Sequence, residues 1–485
     1  MKNLFYILFA ISANLSAQNN IIWGEAQIVT MGDNDNLHPR IALDRNENPM
    51  VIWGNSSMQT VHFSKWNGFE FNADIALNDM SMDIFTASWA GPDLASFGDT
   101  IYVVFKENPE DVARIHMVHS YDGGINFSAP VEVDAMLGDN VSRFPSVTTN
   151  DDGQPIVEFM KLDSDFSNAR YVVVSSGDFG NSFSMDVIAS EYSSGDVCDC
   201  CPASVVAENN YVATLYRDNL DNLRNSWAGI SVDGGMSFND GIQLDQTDWI
   251  INACPASGPD GIIIGDSLYS VFMSAGEGDE RVYFSASSLN TLADQPDLRL
   301  TGEVFGLSQQ NYPRIANYGN AVAVVWKQTV GISSAVPILF SPNIQDRFQN
   351  EYDTIALLET YGIENADVAV SSNAIHVVWQ DNISGDVMYR KGIYAEEVSI
   401  LSPSTIHSEL NVFPNPAKDK AFINVGNINM KSLCVINMHG EIINVEFIME
   451  DNLVSVKIDQ LPTGIFAILL KDDSGNQFIS RLIVE

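Results

Sequence analysis

The chain has 485 residues and a formal net charge of −39 at neutral pH. This length leaves room for one large domain and one small domain. The strong negative charge argues against binding to nucleic acid or to an anionic membrane surface, because both would repel the protein.

Residues 1–17 have the pattern of a secretory signal peptide. Lys2 precedes an apolar run from Leu4 to Leu15, and the small residues Ser16 and Ala17 follow. A membrane anchor would need about 18–20 uninterrupted apolar residues, and this run is shorter. No later segment is long enough either, so we expect no membrane span in the mature chain.

From residue 21 to residue 395, a strand that ends in an aromatic residue recurs seven times. A short strand precedes each of these strands, and a third and mostly a fourth strand follow. Four short strands per unit of about 50 residues are typical of a β-propeller blade. The sequence therefore predicts an all-β fold with a seven-bladed β-propeller, with six blades as the alternative. The recurring aromatic residues are Trp53, Phe105, Phe159, Tyr216, Phe272, Trp326 and Trp379.

The last repeat unit, Ala366–Tyr394, lacks an obvious fourth strand. A segment at residues 22–30, before the first unit, has the pattern of a fourth strand without partners. We predict that this N-terminal strand completes the last blade, because ring closure removes both exposed sheet edges.

A turn of fixed spacing follows the third strand in three of the units. Ser begins it, Asp follows two residues later, Gly four residues later and Phe seven residues later. Asp accepts backbone N–H bonds, Gly adopts a backbone angle that other residues resist, and the aromatic ring packs onto the blade. The three copies are Ser120, Asp122, Gly124, Phe127; Ser176, Asp178, Gly180, Phe183; and Ser231, Asp233, Gly235, Phe238.

These turns resemble the Asp box of sialidase-like β-propellers. The resemblance implies that the turns lie opposite the binding face, which the starts of first strands and the ends of second strands would form. Sialidases proper have six blades, an arginine triad, a Tyr–Glu nucleophile pair and an Asp acid. Sialidases also have a familiar Arg-Ile-Pro motif. Here Arg40 and Arg314 stand in the order Pro-Arg-Ile, and neither the arginine triad nor a Tyr–Glu pair can be assigned.

Basic and aromatic side chains gather on this predicted binding face. Guanidinium groups bind carboxylates or sulfates through two parallel hydrogen bonds, so they suit an acidic group of a glycan. Trp249 could stack on a sugar ring or cap the end of the barrel. In the alternative interpretation, the arginines pair with Asp93, Asp218 and Asp367 and join adjacent blades. The candidate ligand contacts are Arg40, Arg217, Asp218, Arg224, Trp249, Asn252 and Arg314.

Glu158 is a weak candidate for a catalytic acid or base. It occupies a column in which the other six units carry an aliphatic residue. Burial would raise the pKa of its carboxyl group into a useful range. A structural carboxylate that is satisfied by a neighbouring Arg or backbone amide is the alternative.

Five cysteines are present, and disulfides are the default in an exported protein. Cys201 and Cys254 each precede the Pro that opens a first strand, so a Cys201–Cys254 disulfide is plausible, with Cys198 and Cys200 paired or free. The rival is Cys198–Cys254 with Cys200 bonded to Cys201, and three full pairings exist in all. Four thiols could instead hold a soft metal ion.

The run Asp33-Asn34-Asp35-Asn36 resembles an oxygen cluster of the calcium type. A polar turn is the alternative, and we expect no other cofactor or metal.

Residues 396–410 are polar, contain Ser and Pro, and are predicted to form a linker. Three motifs follow in residues 411–485: Phe413-Pro414-Asn415-Pro416, Leu461-Pro462 with Gly464-Ile465-Phe466, and a terminal strand that opens with Arg481. This tail resembles the C-terminal sorting domain of type IX secretion cargo in Bacteroidetes, a small Ig-like β-sandwich. The resemblance implies recognition by the secretion machinery and export to the cell surface or beyond.

The sequence thus predicts a secreted or cell-surface β-propeller that binds a glycan or a protein ligand on one face. One alternative is an exo-acting glycoside hydrolase of the sialidase superfamily. A second is a structural or adhesive surface protein.

Overall fold

The computed structural model describes residues 21–32, 34–135, 140–348, 351–394, 410–426, 430–437, 442–443, 445–450, 452–472 and 477–485. The chain divides into two compact units, Met1–Glu396 and Glu397–Glu485. The predicted signal peptide (1–17) and, apart from Leu410, the predicted linker (396–410) lie outside the described residues. Within the described part, no helix is long and apolar enough to cross a membrane.

The described residues of the first unit form β-strands and one short 3-10 helix. The strands preceding the first sheet are β1 (Ile22–Trp23) and β2 (Gln27–Ile28). Sheet 1 comprises β3 (Asn36–Leu43), β4 (Pro49–Asn55), β5 (Thr60–Lys65) and β6 (Ile75–Ala76); sheet 2 comprises β7 (Asp93–Phe97), β8 (Thr100–Lys106), β9 (Ile115–Ser120) and β10 (Val131–Glu132); sheet 3 comprises β11 (Val141–Thr149), β12 (Pro155–Leu162), β13 (Arg170–Ser175) and β14 (Val187–Ile188).

Four more sheets follow in chain order. Sheet 4 comprises β15 (Asp196–Val197), β16 (Ser204–Glu208), β17 (Tyr211–Asn219), β18 (Ser226–Ser231) and β19 (Asp240–Gln243); sheet 5 comprises β20 (Asp260–Ile264), β21 (Ser267–Ser274), β22 (Arg281–Ser288), β23 (Ala293–Asp294) and β24 (Leu298–Arg299). Sheet 6 comprises β25 (Leu307–Tyr318), β26 (Ala321–Val330), β27 (Ser333–Ser341) and β28 (Asp353–Leu358), with the 3-10 helix Ile344–Asp346 before β28; sheet 7 comprises β29 (Ile363–Val370), β30 (Ala374–Asp381) and β31 (Asp386–Ile393).

The seven sheets that these described strands form are arranged in a ring. The first long strands of successive sheets contact one another in the order β3, β7, β11, β16, β20, β25, β29, and β29 contacts β3. The N-terminal strands β1 and β2 both pair with β31, with Ile22 opposite Ile393 and Gln27 opposite Tyr389. The predicted closure of the last blade by the N-terminal strand is therefore confirmed.

The hydrophobic core lies between adjacent sheets. The cluster that joins sheets 1 and 7, for example, contains Ile41 and Trp53 from one and Val378 and Tyr389 from the other. Strands alternate their side chains between two faces, and each face packs on the neighbouring sheet, so nearly all residues of the second strands are buried.

The three predicted Ser-x-Asp-x-Gly turns adopt one conformation. In the first, Gly124 N donates to Ser120 Oγ at 2.9 Å and Asn126 N donates to Asp122 Oδ1 at 2.9 Å. Gly124 has a φ of +85°, where an added side chain would be strained. The same bonds recur around Asp178 and Asp233. Because strands alternate in direction, these turns lie at the end of the ring opposite the starts of the first strands.

The described residues of the second unit form a β-sandwich of two four-stranded sheets, as predicted for the tail. Side chains of both sheets, including Ile423, Val454, Ile468 and Leu482, share one core. The sheets are β32 (Asn411–Phe413), β33 (Lys420–Asn424), β37 (Leu453–Lys457) and β36 (Phe447–Glu450), in that order, and β35 (Ile442–Ile443), β34 (Met430–Asn437), β38 (Gly464–Asp472) and β39 (Gln477–Val484).

Within this unit, the first and last predicted motifs meet. Asn415 donates its side-chain N–H to Arg481 O at 2.7 Å and accepts a hydrogen bond from Ile483 N at 2.8 Å. Gly464, from the middle motif, pairs with Val484 on the same terminal strand. All three motifs therefore converge on β39.

Candidate functional site

The starts of the first strands enclose a cavity at one end of the ring axis, which we call the axial cavity. Its volume is about 60 Å³, enough for about five water molecules. All seven sheets, or the segments leading into them, contribute to its wall. The lining residues are His38, Arg40, Trp89, Ala90, Gly91, Asp93, Phe144, Pro145, Ser146, Pro202, Ala203, Gly258, Pro259, Tyr312, Pro313, Arg314 and Asn365.

One polar residue from each sheet forms a ring around the axis at this level. Each member lies directly opposite a residue of the second strand, and these second-strand residues include Glu158. The polar ring consists of Arg40, Asp93, Ser146, Ser204, Asp260, Arg314 and Asp367. The register of the strands therefore explains why the two predicted arginines, from distant parts of the chain, come together.

The three carboxylates of the polar ring bond sheet to sheet. Asp93 accepts a hydrogen bond from the backbone N–H of Val147, Asp260 from that of Ile315 and Asp367 from that of Ile41, at 2.9–3.0 Å. In every case the donor belongs to the next sheet in the ring. These aspartates are therefore structural links as well as charges.

Arg314 lies between two of these carboxylates. Its Nε is 3.2 Å from Asp367 Oδ1 and 3.4 Å from Asp260 Oδ2. Burial disfavours its charge, but the two carboxylates outweigh burial and raise the pKa of Arg314 above its usual value. Neither Nη1 nor Nη2 of Arg314 makes a hydrogen bond with the described residues, and the residue lines the axial cavity. Two N–H donor groups are therefore available there.

Two nitrogens of Arg40 interact with neighbouring protein groups. Its Nη1 donates to Pro39 O at 2.9 Å, and its Nε lies 3.7 Å from Asp93 Oδ1. Burial, and secondly the charge of Arg314, lower the pKa of Arg40 to about 10. Burial and the charge of Arg40 also hold the pKa of His38 well below its usual value, so His38 is neutral.

Four cavity residues have a left-handed backbone at a β-bulge. His38, Phe144, Tyr312 and Asn365 have φ values of 57°, 51°, 51° and 32°, and the strand register shifts at each of these positions. Such a backbone costs about 1–3 kcal/mol for a residue other than glycine, and it concentrates at functional sites. Each bulge directs a side chain toward the axis.

Trp89 and these bulge residues are not among the ligand contacts that the sequence predicts. Each bulge residue lies two positions before the polar-ring residue of its strand, and this fixed offset is the signal that could have found them.

The predicted ligand contacts around Arg217 are largely buried and bonded to protein groups. Arg217 is fully buried, and its Nε, Nη1 and Nη2 donate to the carbonyls of Ser257, Arg224 and Met273. Its guanidinium also lies 5.4 Å from the ring centre of Trp249, which is itself buried. These residues join sheets 4 and 5.

The other members of that patch differ in exposure. Asp218 is buried and accepts a hydrogen bond from Asn225 N, and burial raises the pKa of Asp218 to about 6. Arg224 is buried, with Nε donating to Ile251 O. Asn252 is exposed. The sequence located these residues at the correct end of their strands but could not tell which side chains turn inward.

Glu158 is fully buried on β12 and is not one of the residues that line the axial cavity. Neither carboxyl oxygen has a hydrogen-bond partner among the described residues. Burial raises the pKa of Glu158 well above its usual value. Burial therefore favours the protonated form of this carboxyl group.

The cysteines pair differently from both predicted arrangements. Cys200 and Cys254 form a disulfide, whereas Cys198 and Cys201 are buried free thiols. Cys201 occupies the predicted position before the first strand, but its side chain is enclosed behind Tyr171, whose hydroxyl donates to Cys201 O. Cys200, one residue earlier in the loop, faces outward and reaches the exposed Cys254.

The predicted calcium-type cluster is satisfied by protein donors where it is described, while Asp33 lies outside the described residues. Asn36 Oδ1 accepts a hydrogen bond from Trp53 Nε1 at 3.0 Å, and Asp35 accepts one from the Ser57 hydroxyl. These contacts support the polar-turn interpretation.

The C-terminal unit also matches a known family. Residues 411–485 match the family model described as a secretion system C-terminal sorting domain. This tail is a sorting domain. Its presence indicates export by type IX secretion to the cell surface or the extracellular space, and hence an interaction with that secretion machinery. Among curated proteins, none matches the sequence.

Several solved structures of β-propeller enzymes are similar in fold to this protein. An ulvan lyase of family PL25 has a TM-score of 0.49 at 10% identity and covers 76% of this chain and 96% of its own. The α-L-arabinofuranosidase Arb93A from Fusarium graminearum has a TM-score of 0.44 at 13% identity, covering 67% and 99%. The K499G variant of the NanB sialidase from Streptococcus pneumoniae has a TM-score of 0.41 at 10% identity, covering 76% and 70%.

Proposed function

We propose that this exported protein is a binding protein for acidic saccharides, and that the axial cavity receives the carboxylate of a terminal sugar. The observation that carries the proposal is the position of Arg314. Asp260 and Asp367 hold its guanidinium on the Nε side, and its two Nη groups are left for a ligand. A fork of N–H donors matches the two oxygens of a carboxylate.

The size and walls of the cavity suit this part of a ligand. A volume of about 60 Å³ accommodates a carboxylate but not a whole sugar ring. The ring would therefore lie across the mouth, where Trp89, Phe144 and Tyr312 offer aromatic surface for its apolar face. The polar ring holds three aspartates against two arginines, so recognition of the carboxylate rests on the directed Nη donors of Arg314 and not on an excess of positive charge.

The carboxylates near the cavity favour binding over hydrolysis. Among the described lining residues, Asp93 is the one carboxylate, and it is occupied by Ser146 Oγ, Val147 N and Arg40. Glycosidases that use two carboxyl groups need both beside the scissile bond, about 5–9.5 Å apart. The buried Glu158 does not line the cavity and so does not supply the second group.

Isothermal titration of the full chain with oligosaccharides that end in a uronic or sialic acid tests the proposal, with the matching neutral sugars as the comparison. We expect measurable binding of an acidic sugar, weakened at least about tenfold in Arg314→Lys, because lysine keeps the charge but lacks the planar fork. Arg45→Ala is the matched control, since Arg45 is exposed and pairs with Asp99 away from the mouth.

Three outcomes contradict the proposal. The first is no binding of any acidic sugar, and the second is binding that Arg314→Lys leaves unchanged. The third is turnover of the bound sugar that Asp93→Asn or Glu158→Gln abolishes, which would make the protein a hydrolase.

A further inference from the structure

The loop that leads into sheet 4 gathers three sulfur atoms around a buried arginine. Cys198 Sγ lies 2.9 Å from Cys201 Sγ and 3.6 Å from Cys200 Sγ, and Arg224 Nη1 donates to Cys198 Sγ at 2.8 Å. The first distance falls between a disulfide bond of about 2.05 Å and an ordinary sulfur contact. Cys198 and Cys201 also have the C-x-x-C spacing of dithiols that open and close.

The charges around this loop favour a thiolate at Cys198. Arg217 and Arg224 are both buried, and neither forms an ion pair with a carboxylate among the described residues. Contact with Cys201 and the charge of Arg224 lower the pKa of Cys198 to about 6, against the effect of burial. Burial raises the pKa of Cys201 well above its usual value. One thiol of the pair is therefore ionised at neutral pH and the other is not.

The same loop holds an accessible disulfide. Cys200 and Cys254 are bonded, Cys254 is exposed, and the nucleophilic sulfur of Cys198 is in contact with Cys200 Sγ. A thiolate beside a disulfide sulfur is the arrangement from which exchange proceeds.

We propose that Cys198, Cys200, Cys201 and Cys254 form one thiol–disulfide exchange site, which passes a disulfide between the exposed Cys200–Cys254 pair and the buried Cys198–Cys201 pair. The Cys198 thiolate attacks Cys200 Sγ, and Cys254 leaves with the electron pair of the broken bond. Cys201 then loses its proton to the Cys254 thiolate and attacks Cys198 Sγ, and Cys200 leaves as a thiolate. The number of disulfides is unchanged, so no outside oxidant is needed.

The exchange indicates which kind of external molecule would react with the site. Once the disulfide has moved to the buried pair, the exposed Cys254 thiol and the half-buried Cys200 thiol can reduce a disulfide of an external protein or small molecule. Cys254 attacks that disulfide and releases one external thiolate, and Cys200 then attacks the mixed disulfide and releases the second. The chain ends with two disulfides and the external molecule with two thiols, so electrons balance.

Differential alkylation tests the first step without any substitution. The full chain is reduced, reoxidised with one equivalent of oxidised glutathione so that each molecule holds one disulfide, and incubated natively with a maleimide. Mass spectrometry then locates the label. We expect the label to accumulate on Cys254 and Cys200 while Cys198 and Cys201 become a disulfide. Label that stays off Cys254, with Cys198 and Cys201 still reactive after denaturation, overturns the proposal, as does a metal ion bound at one per molecule.

Variants separate the steps. In the Cys198→Ser variant, labelling of Cys254 should be abolished. In the Cys201→Ser variant, Cys254 should still be labelled, but the exchange should stop once the Cys198–Cys200 disulfide has formed. Cys434→Ser, in the sorting domain, is the matched control and should change nothing. Arg224→Gln should slow labelling about tenfold at pH 7 and move its pH midpoint upward, which a purely structural role for Arg224 would not do. An unchanged pH midpoint contradicts the role given to Arg224.

Discussion

Arg314 Nε lies 3.2 Å from Asp367 Oδ1 and, on its other side, 3.4 Å from Asp260 Oδ2. One guanidinium thus connects the inner strands of three consecutive sheets, 5, 6 and 7. The alternative interpretation of the sequence, in which arginines join adjacent blades, therefore describes Arg314 as well as the proposed ligand contact does. The two roles use different nitrogens of the same side chain.

Replacing Arg314 by Met should destabilise the protein by about 3–5 kcal/mol, because two buried carboxylates lose their counter-charge. Burial already raises the pKa of Asp260 in the native protein, and removing the charge of Arg314, which opposes that rise, raises it further. The variant then loses stability as the pH rises above about 4, so its deficit against the native protein should narrow on acidification. Urea unfolding between pH 4 and pH 8 measures this. A deficit that does not change with pH contradicts the explanation.

Glu158→Gln should stabilise the protein at neutral pH. The folded-state pKa of Glu158 is raised by burial, so the folded chain holds a proton that the unfolded chain releases above about pH 4.3. Between about pH 4.3 and the folded-state pKa, the free energy of unfolding of the native protein therefore falls by about 1.4 kcal/mol per pH unit. The glutamine variant does not show this fall. Urea unfolding at pH 4 should give nearly equal free energies of unfolding for the variant and the native protein. At pH 7 the variant should have the larger free energy of unfolding. Equal stabilities at both pH values would show that Glu158 is ionised in the fold.

The turn glycines should differ in their response to alanine. Gly124→Ala combines a φ of +85° with a Cβ placed 2.5 Å from the rigid ring of Phe63, for a loss of about 2–4 kcal/mol. Gly235→Ala has the same φ but meets nothing closer than 3.6 Å, so about 1–2 kcal/mol is expected. Gly177→Ala, with open space around it and no positive φ, is the control. Thermal unfolding gives the order, and a Gly235 variant as unstable as the Gly124 variant contradicts it.

Asn415 should control the terminal strand of the sorting domain. Asn415→Ala removes two hydrogen bonds, one to Arg481 O and one from Ile483 N, and should speed amide hydrogen exchange at Ile483 by about tenfold, equivalent to about 1.4 kcal/mol. Asn415→Asp keeps the acceptor for Ile483 N and should have a smaller effect. Exchange monitored by mass spectrometry on the full chain tests this series. If Asp and Ala have equal effects, the bond to Ile483 N does not stabilise the strand.

The repeats predicted the fold well because they reflect the register of the strands. The aromatic column and the fixed turns both follow from side chains that alternate along a strand, and the polar ring follows the same alternation. Arg40 and Arg314 could thus be placed on the same face of the ring from sequence spacing alone. Spacing also located Arg217 at the correct end of β17.

The remaining features depend on tertiary contacts that spacing does not determine. Whether Arg217 faces solvent or three carbonyl groups is decided by sheet 5, and its burial became evident only in the fold. The β-bulges at His38 and Tyr312 interrupt the regular strand pairing, and the spacing of residues in the sequence does not show where a bulge occurs. The Cys200–Cys254 bond depends on the direction of an irregular loop.

The pairing of Ile22 with Ile393 has a consequence for how the protein reaches its folded state. Strand β1 is synthesised before the seven sheets, whereas its partner β31 is synthesised after the other six sheets are complete. The fold therefore contains contacts between residues that lie very far apart in the sequence. Folding that ends in such a contact is slow, and until then sheet 7 keeps an open edge that can pair with another chain. Misassembly with a second chain is therefore expected to begin at the open edge of sheet 7, before Ile22 pairs with Ile393.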